Sequence, residues 1–317
     1  MTHFSVIMPL YNKALYVRKA VESVVGQTFA NWELIVMDDC STDGSAAVVE
    51  QITDPRIRIV RLEENGGVSA ARNHGVALSR APYVCFLDAD DWWEPTFLEE
   101  MADLAEQYPT AGIYGTGYTI VDEKRRKTRP SPIGVDHDFT DGPIDYFEAY
   151  SRTEAMPLWT GAVCIPKDVF DKVGGFNPTL KMAEDFDLWV RIALTHKVVF
   201  LNKPLANYNQ DVDIATRAIG SLPDPKAQFA FNADYLKPLT TDNPKARQVV
   251  EWVQIVCLKQ YYLSKQYHKQ AKTVLDSIDM TMHRGKPYTA YLRRPVWQTR
   301  MILNIHKTIN RLKWANA

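Results

Sequence analysis

Three groups of acidic residues follow short apolar runs or open a helical segment, and their carboxylates are well suited to bind a cation or to take up a proton. They are residues 38–43 (Asp-Asp-Cys-Ser-Thr-Asp), 88–91 (Asp-Ala-Asp-Asp) and 184–187 (Glu-Asp-Phe-Asp). The three aspartates of 88–91 repel one another unless a cation or hydrogen-bond donors neutralise them. Mg²⁺ and Mn²⁺ prefer oxygen ligands, often one or two carboxylates completed by substrate phosphates. Residues 88–91 therefore predict either a metal site or the acidic start of a helix. Residues 41–43 of the first group have the alternative interpretation of a helix cap.

The segment 65–73 combines a glycine pair with the start of a helix. Gly66 and Gly67 let the backbone approach a ligand, and a helix N-terminus favours an anion. Arg72 adds a planar set of donors that suits a phosphate. The glycine spacing matches neither a P-loop nor a dinucleotide fingerprint, so a plain turn is the alternative interpretation.

Short strand-like runs alternate with amphipathic segments over residues 1–121. The alternation predicts βαβ units and an α/β fold with a mostly parallel central sheet flanked by helices. Ligands of open α/β sheets bind at the carboxyl ends of the strands, where we expect the acidic groups to meet. The expected strands are 4–8, 32–37, 57–62, 83–87 and 112–121, and the expected helices are 15–27, 46–53, 68–79 and 95–107.

The pattern changes after residue 121. Residues 122–142 are polar and predict a loop, and residues 143–210 mix short helices and strands. Beyond residue 220 the pattern is helical and predicts a C-terminal extension. The expected helical segments are 226–237, 246–264, 267–280 and 296–314.

Taken in order, these motifs resemble those of family 2 glycosyltransferases with the GT-A fold, over residues 3–210. The resemblance implies a catalytic domain over 1–215, with a nucleotide-sugar half (1–121) and an acceptor half (122–215), followed by a helical region over 216–317. The matching segments are 5–12, 27–29, 33–43, 65–73, 86–91 with Pro95, and 173–176 ahead of 184–188 and Arg191.

The resemblance implies a donor site for a nucleotide-diphosphate sugar. Tyr11 would lie beside the base, Asp39 would hold a base N–H, and Arg72 would approach the diphosphate. Asp88 would face the ribose or the sugar, and Asp90 would ligate Mn²⁺ or Mg²⁺, with Asp88 and Asp91 as further candidate ligands. The matched donor-binding positions are Pro9, Tyr11, Asn12, Asp39, Ser41, Arg72, Asp88, Ala89 and Asp90. UDP is the expected nucleotide, with dTDP and GDP as alternatives.

The resemblance also implies that Asp185 is the general base. It would take the proton of the acceptor hydroxyl while that oxygen attacks the anomeric carbon from the side opposite the leaving diphosphate, so the configuration inverts. On local grounds alone, Glu184 and Asp185 are also ordinary acids of a first helical turn. Arg191 would then pair with Asp187 four residues earlier.

Residues expected near the acceptor are Trp159, Gly161 and Glu184. Sugar rings expose apolar C–H surfaces that pack on aromatic faces. Core packing is an equally good explanation for any single tryptophan. The expected acceptor is a hydroxyl of a glycan or of a lipid-linked glycan.

The C-terminal segment differs in charge from the rest of the chain. Residues 280–317 contain eight Lys or Arg and no Asp or Glu, although the whole chain has a formal net charge of −1. Residues 281–317 predict a basic amphipathic helix that either contacts an anionic membrane surface or packs on the body of the protein. We expect a cytoplasmic protein, peripheral at the inner face of the membrane, that binds no nucleic acid. The oligomeric state stays open, and the helical region offers a surface for a homodimer.

Two other classes of protein share parts of this pattern. A nucleotidyltransferase would need a glycine-rich phosphate loop near the N-terminus, but residues 9–13 contain no glycine. A non-catalytic scaffold on the same fold would have no need of Asp39, Asp88, Asp90 and Asp185 together. Transfer of a sugar is therefore the favoured function.

Overall fold

The structure is a computed structural model that describes residues 3–122, 127–212, 222–283, 292, 294–299 and 301. The chain divides into two compact units, Met1–Gly220 and Ser221–Ala317. The described part of the first unit is built on one ten-stranded sheet. Its strands are β1 (Phe4–Leu10), β2 (Trp32–Asp38), β3 (Ile57–Arg61), β4 (Tyr83–Phe86), β5 (Trp92–Trp93), β6 (Ala111–Asp122), β7 (Lys127–Pro130), β8 (Asp141–Ile144), β9 (Val163–Pro166) and β10 (Lys197–Asn209).

Helices of the first unit connect these strands. A 3₁₀ turn at Thr160–Ala162 precedes β9. The helices are α1 (Val17–Val25), α2 (Ser45–Glu50), α3 (Val68–Leu78), α4 (Phe97–Gln107), α5 (Tyr146–Thr153), α6 (Lys167–Val173) and α7 (Glu184–Ala193).

The sheet order is β3-β2-β1-β4-β9-β6-β10-β5, with β7 on β6 and β8 on β10. The predicted α/β class, a central sheet flanked by helices, is confirmed. Strands β1 to β4 pair in parallel as expected, and β6 pairs in parallel with β10. Strands β5, β7, β8 and β9 join antiparallel, so the sheet is mixed beyond β4.

Strand β1 lies at the centre of the parallel part because its side chains are almost entirely apolar and buried. Its neighbours are β2 and β4, so the chain reverses its direction of winding beside β1, and a crevice forms at such a switch point. Helix α3 packs closely on β1, since a Cβ on Gly75 would lie 2.3 Å from Ile7 Cγ2. This packing helps place the start of α3 at the carboxyl edge of the sheet.

The prediction of a loop over 122–142 is wrong for two segments. Lys127–Pro130 forms β7, and Asp141–Ile144 begins where that loop was expected to end. Both strands pair with the ends of longer strands, β6 and β10. Backbone pairing with these longer strands positions both segments. They are therefore strands without the apolar alternation of a half-buried strand.

The second unit is helical over its described residues. Its main helices are α10 (Pro244–Leu263) and α11 (His268–Asp276), close to the expected segments. The single helix expected over 226–237 is wrong, because the side-chain amide of Asn232 donates to the carbonyls of Pro225, Lys226 and Gln228. The short elements found there are a 3₁₀ turn (Pro225–Ala227), α8 (Phe229–Asn232), a 3₁₀ turn (Ala233–Tyr235) and α9 (Leu236–Leu239); another 3₁₀ turn is Met280–His283.

The basic amphipathic helix expected over 296–314 lies outside the described residues, apart from 296–299 and 301. Its contact with a membrane stays a prediction. Within the described part of the chain, none of the helices combines the length and the apolar character needed to cross a bilayer.

Candidate active site

The carboxyl ends of β1 and β2 are joined by side chains of the loops that follow them. Asn12 accepts a hydrogen bond from the Thr42 backbone (2.8 Å), and its own N–H donates to Ser41 Oγ (3.1 Å). Asn12 and Cys40 both have left-handed backbone conformations, with φ of 51° and 67°. Such conformations cost about 1–3 kcal/mol and persist where the surroundings enforce them. The two loops therefore form one braced edge, and Tyr11 beside them is 49% exposed.

Asp39 fixes the glycine turn that precedes α3. Its two carboxylate oxygens accept hydrogen bonds from the backbone N–H groups of Gly66 (2.8 Å) and Gly67 (2.9 Å). Gly67 has φ of 82° and ψ of 169°, a conformation that side-chain-bearing residues rarely adopt. Each carboxylate oxygen keeps a second lone pair. Asp39 can therefore brace the turn and still accept an N–H from a bound base, which stays a prediction.

Arg72 lies between two carboxylates from distant parts of the chain. Its side chain is only 4% exposed; Nη2 is 2.7 Å from Asp88 Oδ1, and Nη1 is 3.4 Å from Glu184 Oε1. Its guanidinium also lies 5.1 Å from the centre of the Phe176 ring. Arg72 thus links the acidic turn after β4 to the first turn of α7. The sequence predicted that it approaches a diphosphate, but it did not predict this bridge.

The turn after β4 is an acidic cluster that pairs with Lys13 as well as with Arg72. Lys13 Nζ lies 2.7 Å from Asp90 Oδ2. Burial raises the pKa of Asp90 and Asp88 adds to the rise, while Lys13 acts in the opposite direction. Burial, followed by the charges of Asp90 and Asp88, raises the pKa of Asp91 well above its usual value. Excess negative charge in a confined space favours a cation.

The acidic turn fits part of a divalent metal site. Across the described residues, no group of three or more His, Cys, Asp or Glu side chains is arranged to hold a metal ion. One or two carboxylates are enough when substrate phosphates complete the coordination. Asp88 and Asp90 are suitable donors, and Lys13 already places a positive charge against Asp90. Asp91 is 2% exposed and accepts a hydrogen bond from the Asn209 backbone (2.8 Å), so it ties β10 to this turn.

Asp185 lies at the start of α7, next to the residue that pairs with Arg72. Burial first, and the charge of Glu184 second, raise the pKa of Asp185 from its ordinary value of 3.8 to about 7. A hydrogen bond from the Phe186 N–H (2.7 Å) holds Oδ1. The preceding residue, Ala183, has φ of 59°, a strained conformation for a residue other than glycine. A carboxylate with a pKa near 7 is suited to accept a proton at neutral pH.

A buried ion pair holds the turn ahead of α7. Asp187 is fully buried and pairs with Arg191 Nη2 at 2.8 Å, as the i,i+4 spacing predicted. Arg191 also donates to the carbonyls of Val173 and Gly175. The glycine turn 174–175 is therefore fixed to α7, and this contact orients the helix that carries Asp185.

The residues expected near the acceptor play different parts. Trp159 is half-buried, and its ring contacts those of Tyr118 and Tyr208. Gly161 is buried, and its carbonyl accepts a hydrogen bond from Trp93 Nε1 (2.7 Å). Glu184 is the partner of Arg72 described above. Sequence reasoning did not assign a role to Lys13, Tyr118 or Tyr208.

Comparison with known proteins identifies the family of the chain. The family model for glycosyl transferase family 2 matches residues 5–172. The chain belongs to glycosyl transferase family 2. The family predicted from the motifs is thereby confirmed.

Relatives of this family match parts of the chain. TuaG of Bacillus subtilis, named for teichuronic acid biosynthesis, is 40% identical over 119 residues, which are 37% of this chain and 47% of TuaG. The glycosyltransferase GlyA of Streptococcus pneumoniae is 37% identical over 117 residues, which are 37% of this chain and 17% of GlyA. The chain thus spans less than half the length of either relative.

Solved structures of S. aureus TarS share the fold. TarS 1–349 in complex with UDP-GlcNAc gives a TM-score of 0.62 at 18% identity, covering 92% of this chain and 78% of the TarS chain. The complex of TarS 1–349 with UDP gives a TM-score of 0.60, also at 18% identity, covering 95% of this chain and 78% of that chain. The likeness confirms the GT-A architecture.

Proposed function

We propose that the chain is an inverting glycosyltransferase that moves a sugar from a UDP-sugar to a hydroxyl of a glycan or a lipid-linked glycan. The observation that carries the proposal is the Arg72 bridge, which joins the turn bearing Asp88 to the helix bearing Asp185. This bridge supports a single site in which Asp88 would bind the donor and Asp185, next to Glu184, would act as the base. Family membership and the UDP-sugar complex of TarS support the choice of donor.

The donor would lie along the carboxyl edge of β1, β2 and β4. Half-exposed Tyr11 offers a ring face to the base, and Asp39 retains lone pairs for a base N–H. The N–H groups of Gly66 and Gly67 are taken by Asp39, so the diphosphate would be favoured by the N-terminus of α3 that follows this turn. Lys13 would add a positive charge on the same side, after release from Asp90.

Asp90 and Asp88 would hold Mn²⁺ or Mg²⁺ together with the diphosphate. When bound, such a cation neutralises the negative charge that develops on the leaving diphosphate. The chain's own residues then have two tasks, to hold the donor and to accept a proton.

Asp185 would act on the acceptor. As the acceptor oxygen bonds to the anomeric carbon, the bond from that carbon to the diphosphate oxygen breaks, and the electron pair leaves with the diphosphate. The acceptor proton passes to the Asp185 carboxylate. Because the attacking oxygen enters opposite the leaving group, the anomeric configuration inverts.

Release of nucleoside diphosphate tests the proposed function. The purified protein is incubated with Mn²⁺, a panel of UDP-, dTDP- and GDP-sugars, and a mixture of methyl glycosides and oligosaccharides as acceptors. We expect release of UDP from at least one UDP-sugar, together with a glycosylated product detected by mass spectrometry. If no donor in the panel is consumed, the proposed activity is contradicted.

A further inference from the structure

Three aromatic rings from separate segments meet near the acidic turn. The ring centres of Tyr118 and Trp159 are 4.9 Å apart, and those of Trp159 and Tyr208 are 5.3 Å apart. Tyr118 belongs to β6, Trp159 precedes the 3₁₀ turn, and Tyr208 belongs to β10. We call these three residues the aromatic platform.

The platform is partly exposed, unlike a comparable pair in the core. Trp93 and Phe97 stack with ring centres 4.1 Å apart and are 3% and 0% exposed. Tyr118, Trp159 and Tyr208 each remain only half-buried, although Tyr118 and Trp159 pack against the core. Part of the platform therefore faces solvent, where a ligand could cover it.

The ring of Trp159 packs against the backbone of the 3₁₀ turn that follows it. A Cβ on Gly161 would lie 2.5 Å from this ring, so the ring packs directly on a glycine backbone. The Gly161 carbonyl in turn accepts the hydrogen bond from the indole of Trp93. The rings of Tyr118 and Tyr208 are tilted by 38° and 47° from that of Trp159, so the three rings form an angled aromatic surface. A preformed surface of this kind binds a ligand with little loss of side-chain entropy.

The platform adjoins both acidic elements of the site. Tyr208 is followed by Asn209, whose N–H bonds the Asp91 carboxylate at 2.8 Å. Burial raises the pKa of the Tyr118 hydroxyl, and the nearby charge of Asp185 adds to the rise. Helix α7, whose first turn carries Asp185, packs against β6 and β10, the strands that carry Tyr118 and Tyr208. The platform is thus joined to the turn proposed to hold the donor and shares its two strands with the helix of the proposed base.

We propose that Tyr118, Trp159 and Tyr208 form the subsite for the acceptor sugar, which stacks the C–H face of a pyranose ring on this aromatic platform. The inference rests on the proposed function, because an acceptor must lie beside the base. Aromatic faces present apolar area that matches such a C–H face. The subsite therefore selects a saccharide rather than a peptide hydroxyl.

Saturation-transfer NMR tests the subsite. The probes are methyl glycosides of glucose, galactose and N-acetylglucosamine, presented with UDP and Mn²⁺ while the aromatic protons of the protein are irradiated. We expect transfer to ring C–H protons of at least one glycoside. Trp159→Ala should weaken its Kd about 2- to 10-fold, and Trp159→Phe should retain most of the affinity. Tyr235→Ala, a 40% exposed tyrosine of the second unit, is the matched control and should change nothing.

The outcomes separate this inference from the proposed function. UDP affinity is measured on the same samples by calorimetry, and Trp159→Ala should leave it unchanged. If UDP binds but no glycoside receives saturation, or Trp159→Ala binds glycosides as well as wild type does, the subsite is wrong and the donor site stands. If wild type fails to bind UDP, both proposals fall. Loss of glycoside binding in both Trp159→Ala and Trp159→Phe, with unfolding temperatures unchanged, also contradicts a stacking role.

Discussion

Asp185→Asn is expected to lower the rate of sugar transfer by about 10²- to 10⁴-fold, the usual contribution of a positioned general base. The amide has nearly the same shape but cannot take up the acceptor proton. Affinity for UDP should remain close to that of wild type, because Asp185 is assigned to the acceptor and not to the donor. The rate is measured as UDP release, and the affinity is measured by calorimetry.

The pH dependence of the rate identifies the same group. The pKa of Asp185 is raised to about 7, so below this pH the carboxyl is increasingly protonated and cannot accept a proton. The rate should therefore fall as pH is lowered through about 7, by about tenfold per unit well below it. Glu184→Gln removes the second cause of the raised pKa of Asp185. The pH below which the rate falls should therefore be lower in this variant. A rate independent of pH between 5 and 8, or an Asp185→Asn variant with full activity, would contradict the role of Asp185.

Folding stability offers an independent check on Asp185. A raised pKa means that the folded protein holds this proton more tightly than the unfolded chain. The stability that this proton contributes is fully present at pH values below the pKa of Asp185 in the unfolded chain. It is lost as pH rises from about 4 through about 7. Asp185→Asn should therefore gain stability relative to wild type over this window.

Asp187→Ala is expected to destabilise the fold by about 3–5 kcal/mol, because it leaves the charge of Arg191 without its buried partner. Asp187 is fully buried, and Arg191 also holds the carbonyls of Val173 and Gly175. Loss of the pair should release the turn ahead of α7 as well as weaken the helix. Urea unfolding at pH 8 measures the change in the free energy of unfolding.

A second ion pair of the same spacing provides the control. Lys167 and Asp171 are also four residues apart and lie 2.9 Å from each other, but the Asp171 side chain is 57% exposed. Asp171→Ala should cost only about 0–1 kcal/mol. Equal losses in the free energy of unfolding from Asp187→Ala and Asp171→Ala would show that burial does not strengthen the pair of Asp187 and Arg191. The structural role given to this pair would then be wrong.

Local patterns predicted the parts of the fold that depend on neighbouring residues. The buried apolar runs and the helices between them gave strands β1 to β4 in parallel order, because each βαβ unit is specified within a short stretch of chain. The i,i+4 pair of Asp187 and Arg191 was predicted for the same reason. The roles of Asp39, Asp90 and Asp185 came from resemblance to a family and stay predictions.

Contacts between residues that lie far apart along the chain could not be predicted from a single sequence. The partners Arg72 and Glu184 are 112 positions apart, and Lys13 and Asp90 are 77 apart. The aromatic platform likewise combines three segments that no periodic pattern connects. Strand β7 was missed because its pairing with β6 is a backbone contact, which its polar side chains do not reveal.

Calorimetric titration with UDP, with and without Mn²⁺, tests the donor site most directly. The account predicts that wild type binds UDP at least about tenfold more tightly with Mn²⁺, and that Asp90→Ala loses this gain while retaining its fold. dTDP and GDP serve as comparison ligands in the same format. If UDP, dTDP and GDP all fail to bind, or if Asp90→Ala keeps the full effect of Mn²⁺, the site at the carboxyl edge of β1, β2 and β4 is not the one proposed.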